Sequence, residues 1–293
     1  MNILITGTTS TVGDRLIHYL INTNYKVFCT IRNRNNISIE NKSKIVLIEI
    51  DLLNENDYSK LPRNIDIIIH LAAVNKFSGH SNLEIIKHNV LINKNIVAYA
   101  ENVKAKKIIY TSSISIYGDV NESIVTNTTL VNSPDCYGIS KLVGEVAIKS
   151  LGNKTSSISI RLPAILGDKN NQCFITNICE NLSTNSPIIL KNPNTLFNNV
   201  INIDSIANFI FKLIINTQWD GHHSFPIATI HPVELSNLIM NLKDQLDSKS
   251  LINNSIKAAN AFIIDSNYAI KNFEYIPDST INVCKNHCAL FQN

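Results

Sequence analysis

The 293-residue chain is 44% hydrophobic and carries 26 Lys and Arg against 23 Asp and Glu, a formal net charge of +3. That apolar content buries a sizeable core and excludes a disordered chain, and so balanced a charge excludes the basic stripe of a nucleic-acid binder. No apolar run approaches the roughly 20 residues needed to span a bilayer, so no membrane insertion is expected. With no charged region before the first apolar run, and with six cysteines at 29, 136, 173, 179, 284 and 288 in no disulfide-framework pattern, a cytoplasmic protein with free thiols is expected.

Asn2 to Thr6 is a short apolar run that stops at Gly7, after which Val12, Leu16, Ile17, Leu20 and Ile21 recur at helical spacing. Strand, tight turn, helix is the implied order. The turn reads TGTTSTVG from Thr6 to Gly13. Gly7 is free to take a positive φ, Gly13 is small enough for the helix to pack on the sheet, and the backbone N–H groups of Thr9, Ser10, Thr11 and Val12 suit a pyrophosphate. A second strand, Lys26 to Ile31, ends at Arg32-Asn33-Arg34, where a dinucleotide-binding unit meets the adenosine ribose. No acid lies between Val27 and Ile39 to bind a free 2′-hydroxyl, and an arginine accommodates a 2′-phosphate, so Arg32 points to NADP, with NAD still open. The plainer reading is a solvated loop with two basic residues.

Strands follow at Lys44 to Asp51 and Ile65 to Leu71; the second runs into His70-Leu71-Ala72-Ala73, whose small side chains let a flat ligand approach the backbone. A long helical pattern through Ile85, Ile86, Asn89, Val90, Asn93, Ile96, Val97 and Ala100 leads to a fifth strand, Lys107 to Thr111, which ends at Ser112 and Ser113. Strands alternating with helices of this length predict an α/β fold, a Rossmann-type doubly wound parallel sheet whose ligands bind beyond the carboxyl ends of the strands. The glycine turn, Arg32, Ala72 and Ser113 all fall at such ends.

Tyr137-Gly138-Ile139-Ser140-Lys141 opens the next helix, with Pro134 and Asp135 as breaker and cap and with Leu142, Val143 and Val146 as its apolar periodicity. Residues four apart share a face, so Tyr137 and Lys141 point the same way. A neighbouring cation stabilises a phenolate and draws the phenol down from its usual pKa of about 10. Such a tyrosine hands a proton to a developing alkoxide or takes one from a hydroxyl. The same pair arises by chance on surface helices; the strand-end motifs are what set this one apart.

Beyond Gly167 the chain is less periodic and rich in Asn and Pro, as expected of a smaller C-terminal substrate lobe. Helical patterns occur at Ile175 to Leu182, Ile206 to Ile215 and Val233 to Leu246, and short strands at Val200 to Ile203 and Ser224 to Ala228. The expected division is a nucleotide-binding domain over 1–166, with 196–227 returning partly to it, and a substrate lobe over 167–195 and 228–293. His222, His223 and His231 read as solvated histidines. Cys284, His287 and Cys288 lack the second ligand pair of a zinc site, so no metal is expected.

With these residues in view, the chain resembles the extended short-chain dehydrogenase/reductase family of nucleotide-sugar epimerases, dehydratases and ketoreductases, over nearly its whole length. TGTTSTVG is similar to the family's TGxxGxxG turn, Asp51-Leu52 to its adenine-contacting pair, HLAA to the segment under the nicotinamide side, TSSISIYG to its serine strand, YGISK with Glu145 to its YxxxK helix, Arg161-Leu162-Pro163 with Gly167 to its sixth strand, VINIDSIA to its VxVxDxA stretch, and Phe262 to Pro277 with Asp265 to its closing segment. The resemblance implies that Tyr137 is the acid/base, that Lys141 lowers its pKa and bonds the nicotinamide ribose, and that Ser113 holds the substrate oxygen, Ser112 being structural. It implies cofactor contacts from Gly7, Thr9, Ser10, Thr11, Val12, Gly13, Arg32, Asp51, Leu52, Leu71, Ala72, Ala73, Thr111, Tyr137, Lys141 and Pro163. Substrate contacts are implied for Asn75, Ser113, Ile114, Ser115 and Asn199, and a homodimer through a four-helix contact.

Two residues depart from the pattern. Ser10 stands where the family has its middle glycine, and Ala164 replaces an asparagine that many sugar-nucleotide epimerases carry. RLPAILG from Arg161, Pro187 to Leu190, and Phe197-Asn198-Asn199 look more like the ketoreductases of surface-polysaccharide pathways. The implied activity is NADP(H)-dependent reduction of a keto group on a nucleoside-diphosphate sugar. The alternatives are a 4-epimerase with tightly bound NAD and a non-catalytic NAD(P)-sensing regulatory protein, against which the intact Tyr137 and Lys141 count. Ile114 and Ser115 occupy the places of the dehydratases' acidic pair, which disfavours that activity.

Overall fold

A computed structural model describes residues 1–33, 45–255 and 261–292. Five strands, β1 (Asn2–Thr6), β2 (Lys26–Ile31), β3 (Ile45–Glu49), β4 (Ile67–His70) and β5 (Lys107–Ser113), join Ser156–Leu162 and His222–Pro226 in one parallel sheet. Its order is β3-β2-β1-β4-β5, then Ser156–Leu162, then His222–Pro226. Strands of a parallel sheet covered on both faces read as unbroken apolar runs. Ile3, Leu4, Ile5, Ile68 and Ile69 are accordingly sealed from solvent. At the edge, β3 is shorter than the expected Lys44 to Asp51: Val46 is exposed and Lys44 lies outside the described residues.

The sheet order reverses between β1 and β4, and a parallel sheet opens its ligand crevice at such a reversal. Thr6 pairs in register with His70, so the turn at Gly7 and the segment from Leu71 leave the sheet side by side. Three helices flank this edge: α1 (Thr11–Leu20), α2 (Asn82–Val103) and α3 (Cys136–Lys149). Ser10 caps α1, Ser81 and Glu84 form a capping box on α2, and Asp135 caps α3, each satisfying N–H groups that a helix start leaves unpaired. The α3 start is where the sequence predicts it, but its buried face is different. Val143 and Val146 point outward, while Lys141, Gly144, Glu145 and Ile148 face inward. Polar partners inside outweigh the apolar periodicity here.

The chain forms two compact units. One comprises Met1–Gly118, Pro134–Arg161 and Ile206–Ser224, and holds β1 to β5 and α1 to α3; the other comprises Asp119–Ser133, Leu162–Ser205 and Phe225–Asn293. The second unit has its own core, in which Ile178 and Cys179, Leu238 and Leu242, and Val283 and Cys288 pack three helices together. Those helices span Phe174–Ser183, Leu235–Gln245 and Thr280–Ala289. Short parallel pairs join Ala164–Leu166 to Val200–Asn202, Ile188–Leu190 to Ile252–Asn254 and Ile124–Val125 to Ile263–Ile264.

Candidate active site

Gly7 takes φ +72°, and a Cβ there would lie 2.6 Å from the Ala72 nitrogen. Only glycine lets the first turn and the segment after β4 touch in this way. The buried Thr8 ties the turn to β2 by donating to the Thr30 carbonyl at 2.6 Å. Ser10, in place of the middle glycine, accepts from the Gly13 N–H at 3.1 Å, so its hydroxyl serves as the helix cap and leaves the turn intact. Thr9 and Ser10 are exposed and Thr11 half-buried at the α1 start. This cradle fits a pyrophosphate, the helix dipole favouring its charge. Arg32 is exposed at the end of β2, and Arg34 lies outside the described residues. The exposed Asp51 accepts from the Leu53 N–H at 3.0 Å, while the Leu52 carbonyl accepts from Tyr58 and Asn95. Leu71 is buried, Ala72 half-buried and Ala73 exposed.

Behind that surface runs a polar seam of which the sequence revealed little. His70 is fully buried between Thr6 Oγ1, 2.7 Å from its Nδ1, and Asn93 Oδ1, 3.0 Å from its Nε2. An amide oxygen only accepts, so Nε2 carries the proton and Nδ1 accepts from Thr6. Burial, with the Lys141 charge nearby, holds this imidazole neutral, its pKa down to about 3. The Tyr110 ring stacks on His70 at 5.4 Å between centroids. Asn89 grips the Val74 peptide from both sides, at 2.7 and 2.9 Å, and donates to Ser140 on α3 at 2.9 Å. The segment carrying Asn75 and Lys76 is thereby fastened to α2 and α3.

Thr111, two residues before the end of β5, donates its hydroxyl to the His70 carbonyl at 3.4 Å. Ser113 accepts from the Ser115 N–H at 3.1 Å and starts a single 3-10 turn, Ile114–Tyr117. α3 meets that turn through Gly138, where a Cβ would lie 2.2 Å from the Ser115 carbonyl oxygen. This explains the small residue directly after Tyr137. The elements bearing Tyr137 and Ser113 are thus in backbone contact.

Lys141 is 2% exposed, and its ammonium lies 4.4 Å from the centroid of the Tyr110 ring, an aromatic face standing in for lost water. Burial brings its pKa down to about 7, against the pull of the Glu145 carboxylate, which raises it. Tyr137 is half-buried, and its phenol is pushed up to about 12, first by burial and then by the Asp135 charge. The direction expected from the sequence, a phenol held below its ordinary value, is therefore corrected. The Lys141 charge rests over Tyr110, and an acid caps the helix two residues from the phenol. A second cation stands near: Lys76 Nζ lies 5.8 Å from the Tyr137 ring centroid and 2.5 Å from Asp135 Oδ2.

Glu145, one turn beyond Lys141, is held by Arg161 through two bonds of 3.1 and 2.9 Å. Arg161 also donates to Tyr117 at 2.9 Å and Ser224 at 3.2 Å. Both partners are buried, and the extra bonds satisfy the guanidinium as a desolvated pair requires. Pro163 is buried and Asn199 half-buried; both lie in the second unit, next to the paired residues Ala164 and Val200. The Asn199 Oδ1 is buried without a hydrogen-bond partner.

Other polar clusters are accounted for structurally. His222 pairs with Ser157 and His223 with the Asp220 carbonyl, and His287 bonds the Gly167 N–H and Thr176. All six cysteines are free thiols. Among the described residues no cluster of three or more His, Cys, Asp or Glu could hold a metal ion, and no helix is long and apolar enough to cross a membrane. A cavity of about 380 Å³ lined by Met1, Asp66, Ile67, Lys106, Lys107 and Thr217 opens at the amino ends of β4 and β5, away from the site. Its lysines are engaged by Asp66 and by Trp219 and Asp220.

Residues 3–216 match the model of the NAD dependent epimerase/dehydratase family. The chain belongs to that family. It is 29% identical over 157 residues to a putative UDP-glucose 4-epimerase of Methanocaldococcus jannaschii, covering 50% of each chain. The chain spans about half the length of the curated relatives it matches first. Among solved structures, the UDP-Glc/GlcNAc 4-epimerase of Campylobacter jejuni superposes with a TM-score of 0.84 at 15% identity, over 99% of this chain and 98% of that one. The UDP-glucuronic acid 4-epimerase of Bacillus cereus, in complex with NAD, gives 0.84 at 20% identity over 99% and 98%. These structures share the Rossmann-type fold, and the family is one of nicotinamide-dependent, extended short-chain dehydrogenase/reductase enzymes.

Proposed function

We propose that the protein is an NADP(H)-dependent ketoreductase of a nucleoside-diphosphate sugar, with Tyr137 as acid/base, Ser113 as the hydroxyl that holds the substrate oxygen, and Lys141 as the cation that bonds the cofactor ribose. The reading is carried by the backbone contact of Gly138 with Ser115, which joins the Tyr137 helix to the Ser113 turn at the same strand ends as the Gly7 cradle. When bound, the nicotinamide supplies or takes the hydride. Tyr137 gives its proton to the oxygen as the carbonyl becomes an alcohol, and Ser113 orients that oxygen. Lys141 sits near the midpoint of its titration at neutral pH, so its charge can follow the proton. Gly7, Thr9, Ser10, Thr11, Val12 and Gly13 would hold the pyrophosphate, Arg32 a 2′-phosphate, Asp51 and Leu52 the adenine, and Asn75, Ile114 and Ser115 the substrate.

A cytoplasmic homodimer accompanies this reading. Ile139, Val143 and Val146 form an exposed apolar strip at i, i+4 and i+7 on α3, suited to a second copy. A second reading, a 4-epimerase that keeps NAD bound, draws on the names of the relatives described above. Purified protein is incubated with candidate keto-sugar nucleotides while NADPH absorbance is followed. Stoichiometric NADPH consumption is the expected result; isomerised sugar without net consumption selects the epimerase and overturns the reductase.

A further inference from the structure

We propose that Lys76 and Asp135, both exposed at the site's rim, form a charge pair that sets the ionisation of Tyr137, Lys76 acting as a positioning residue for the acid/base. Asp135 is committed to the start of α3, where its Oδ1 accepts from the Gly138 N–H at 2.8 Å. Its other oxygen takes Lys76 at 2.5 Å. A carboxylate beside a phenol opposes its ionisation, as the Asp135 charge does for Tyr137, and a cation on the same carboxylate offsets part of that opposition.

The chain invests structure in keeping Lys76 there. Asn89 clamps the peptide of Val74 just ahead of it, and Asn75 accepts from the Phe77 N–H at 3.0 Å just behind it. The ammonium consequently hangs over the Tyr137 ring at 5.8 Å from the centroid. The charged and titratable groups around Tyr137 are Asp135 at the cap of α3, Lys141 four residues further along α3, Lys76 on the segment after β4, and Tyr110 on β5, whose own phenol is pushed up by burial and by Tyr137. Lys141 rests on Tyr110, whereas Lys76 is seated on the Asp135 carboxylate itself and is its direct counterweight.

The inference rests on Tyr137 being the acid/base, and its test separates the two claims. The full chain is labelled in its tyrosine rings and titrated by NMR, the Tyr137 signal being assigned by its loss in Tyr137→Phe. Asp135→Asn keeps a helix-capping side chain and the fold. It is expected to lower the Tyr137 midpoint by about 0.5–1 pH unit, since Lys76 then acts unopposed. Adding Lys76→Met to Asp135→Asn should return the midpoint to near the wild-type value. The basic limb of the pH–rate profile should move with the midpoint in both variants. An unmoved midpoint in Asp135→Asn, or a double variant that stays with the single one, overturns the charge pair. Full turnover in Tyr137→Phe would instead remove the acid/base assignment and leave the titration result standing.

Discussion

Lys141 is held at an electrostatic cost, because its ammonium is buried against an aromatic ring and, among the described residues, no carboxylate is bonded to it. Its folded pKa of about 7 lies below the ordinary 10.5. Between those values the unfolded chain binds a proton that the native one does not, so stability climbs as pH rises from about 7 towards 10.5 and the full penalty applies below. Lys141→Met should therefore stabilise the fold by roughly 1–3 kcal/mol near pH 6 and by little near pH 10. Urea unfolding at the two pH values measures this, and an equal gain at both contradicts it. Arg32→Asp places an acceptor where a free 2′-hydroxyl would lie, and should shift the NADP-to-NAD affinity ratio by roughly 10-fold or more towards NAD. Titration of both nucleotides checks it; an unchanged ratio removes Arg32 from the cofactor site.

α3 is the element that joins fold to chemistry, and it was only half legible in the sequence. Pro134, Asp135 and the Tyr137–Lys141 spacing marked its start and one of its faces, because caps and i,i+4 neighbours are local. Its inward face was not legible. Val143 and Val146 look like core by period, yet the inward positions are taken by Lys141 and Glu145, whose partners Tyr110 and Arg161 come from the sheet strands on either side of α3 in the chain, outside the helix's own pattern. Lys76 was missed for the same reason: nothing local links it to Asp135. The Glu145–Arg161 pair makes a prediction at this scale. Glu145→Ala leaves a buried guanidinium uncompensated and should cost about 3–5 kcal/mol of unfolding free energy. A loss below about 1 kcal/mol in urea unfolding would mean that Tyr117 and Ser224 suffice to hold Arg161.

Across the whole molecule, the parallel sheet was readable because strands buried on both faces are unbroken apolar runs, and because Gly7, Ala72 and Ser113 punctuate their carboxyl ends. The second unit was less so. Its strand pairs are two or three residues long, and its last two helices, Asn267–Phe273 and Thr280–Ala289, carry too few periodic apolar residues to announce themselves. The exposed strip on α3 makes the prediction that belongs to the assembly. Val146, 62% exposed, lies at the proposed contact between two copies, and Val146→Glu should convert a dimer into monomers in sedimentation. A wild-type monomer would contradict the contact. The central claim is that one phenol moves the proton while the rest of the site binds and orients, and Tyr137→Phe tests it most directly. NADP(H) and nucleotide-sugar affinities measured by calorimetry should stay within about threefold, while turnover falls by about 100-fold or more. Turnover within about tenfold of wild type, with binding intact, would contradict the account.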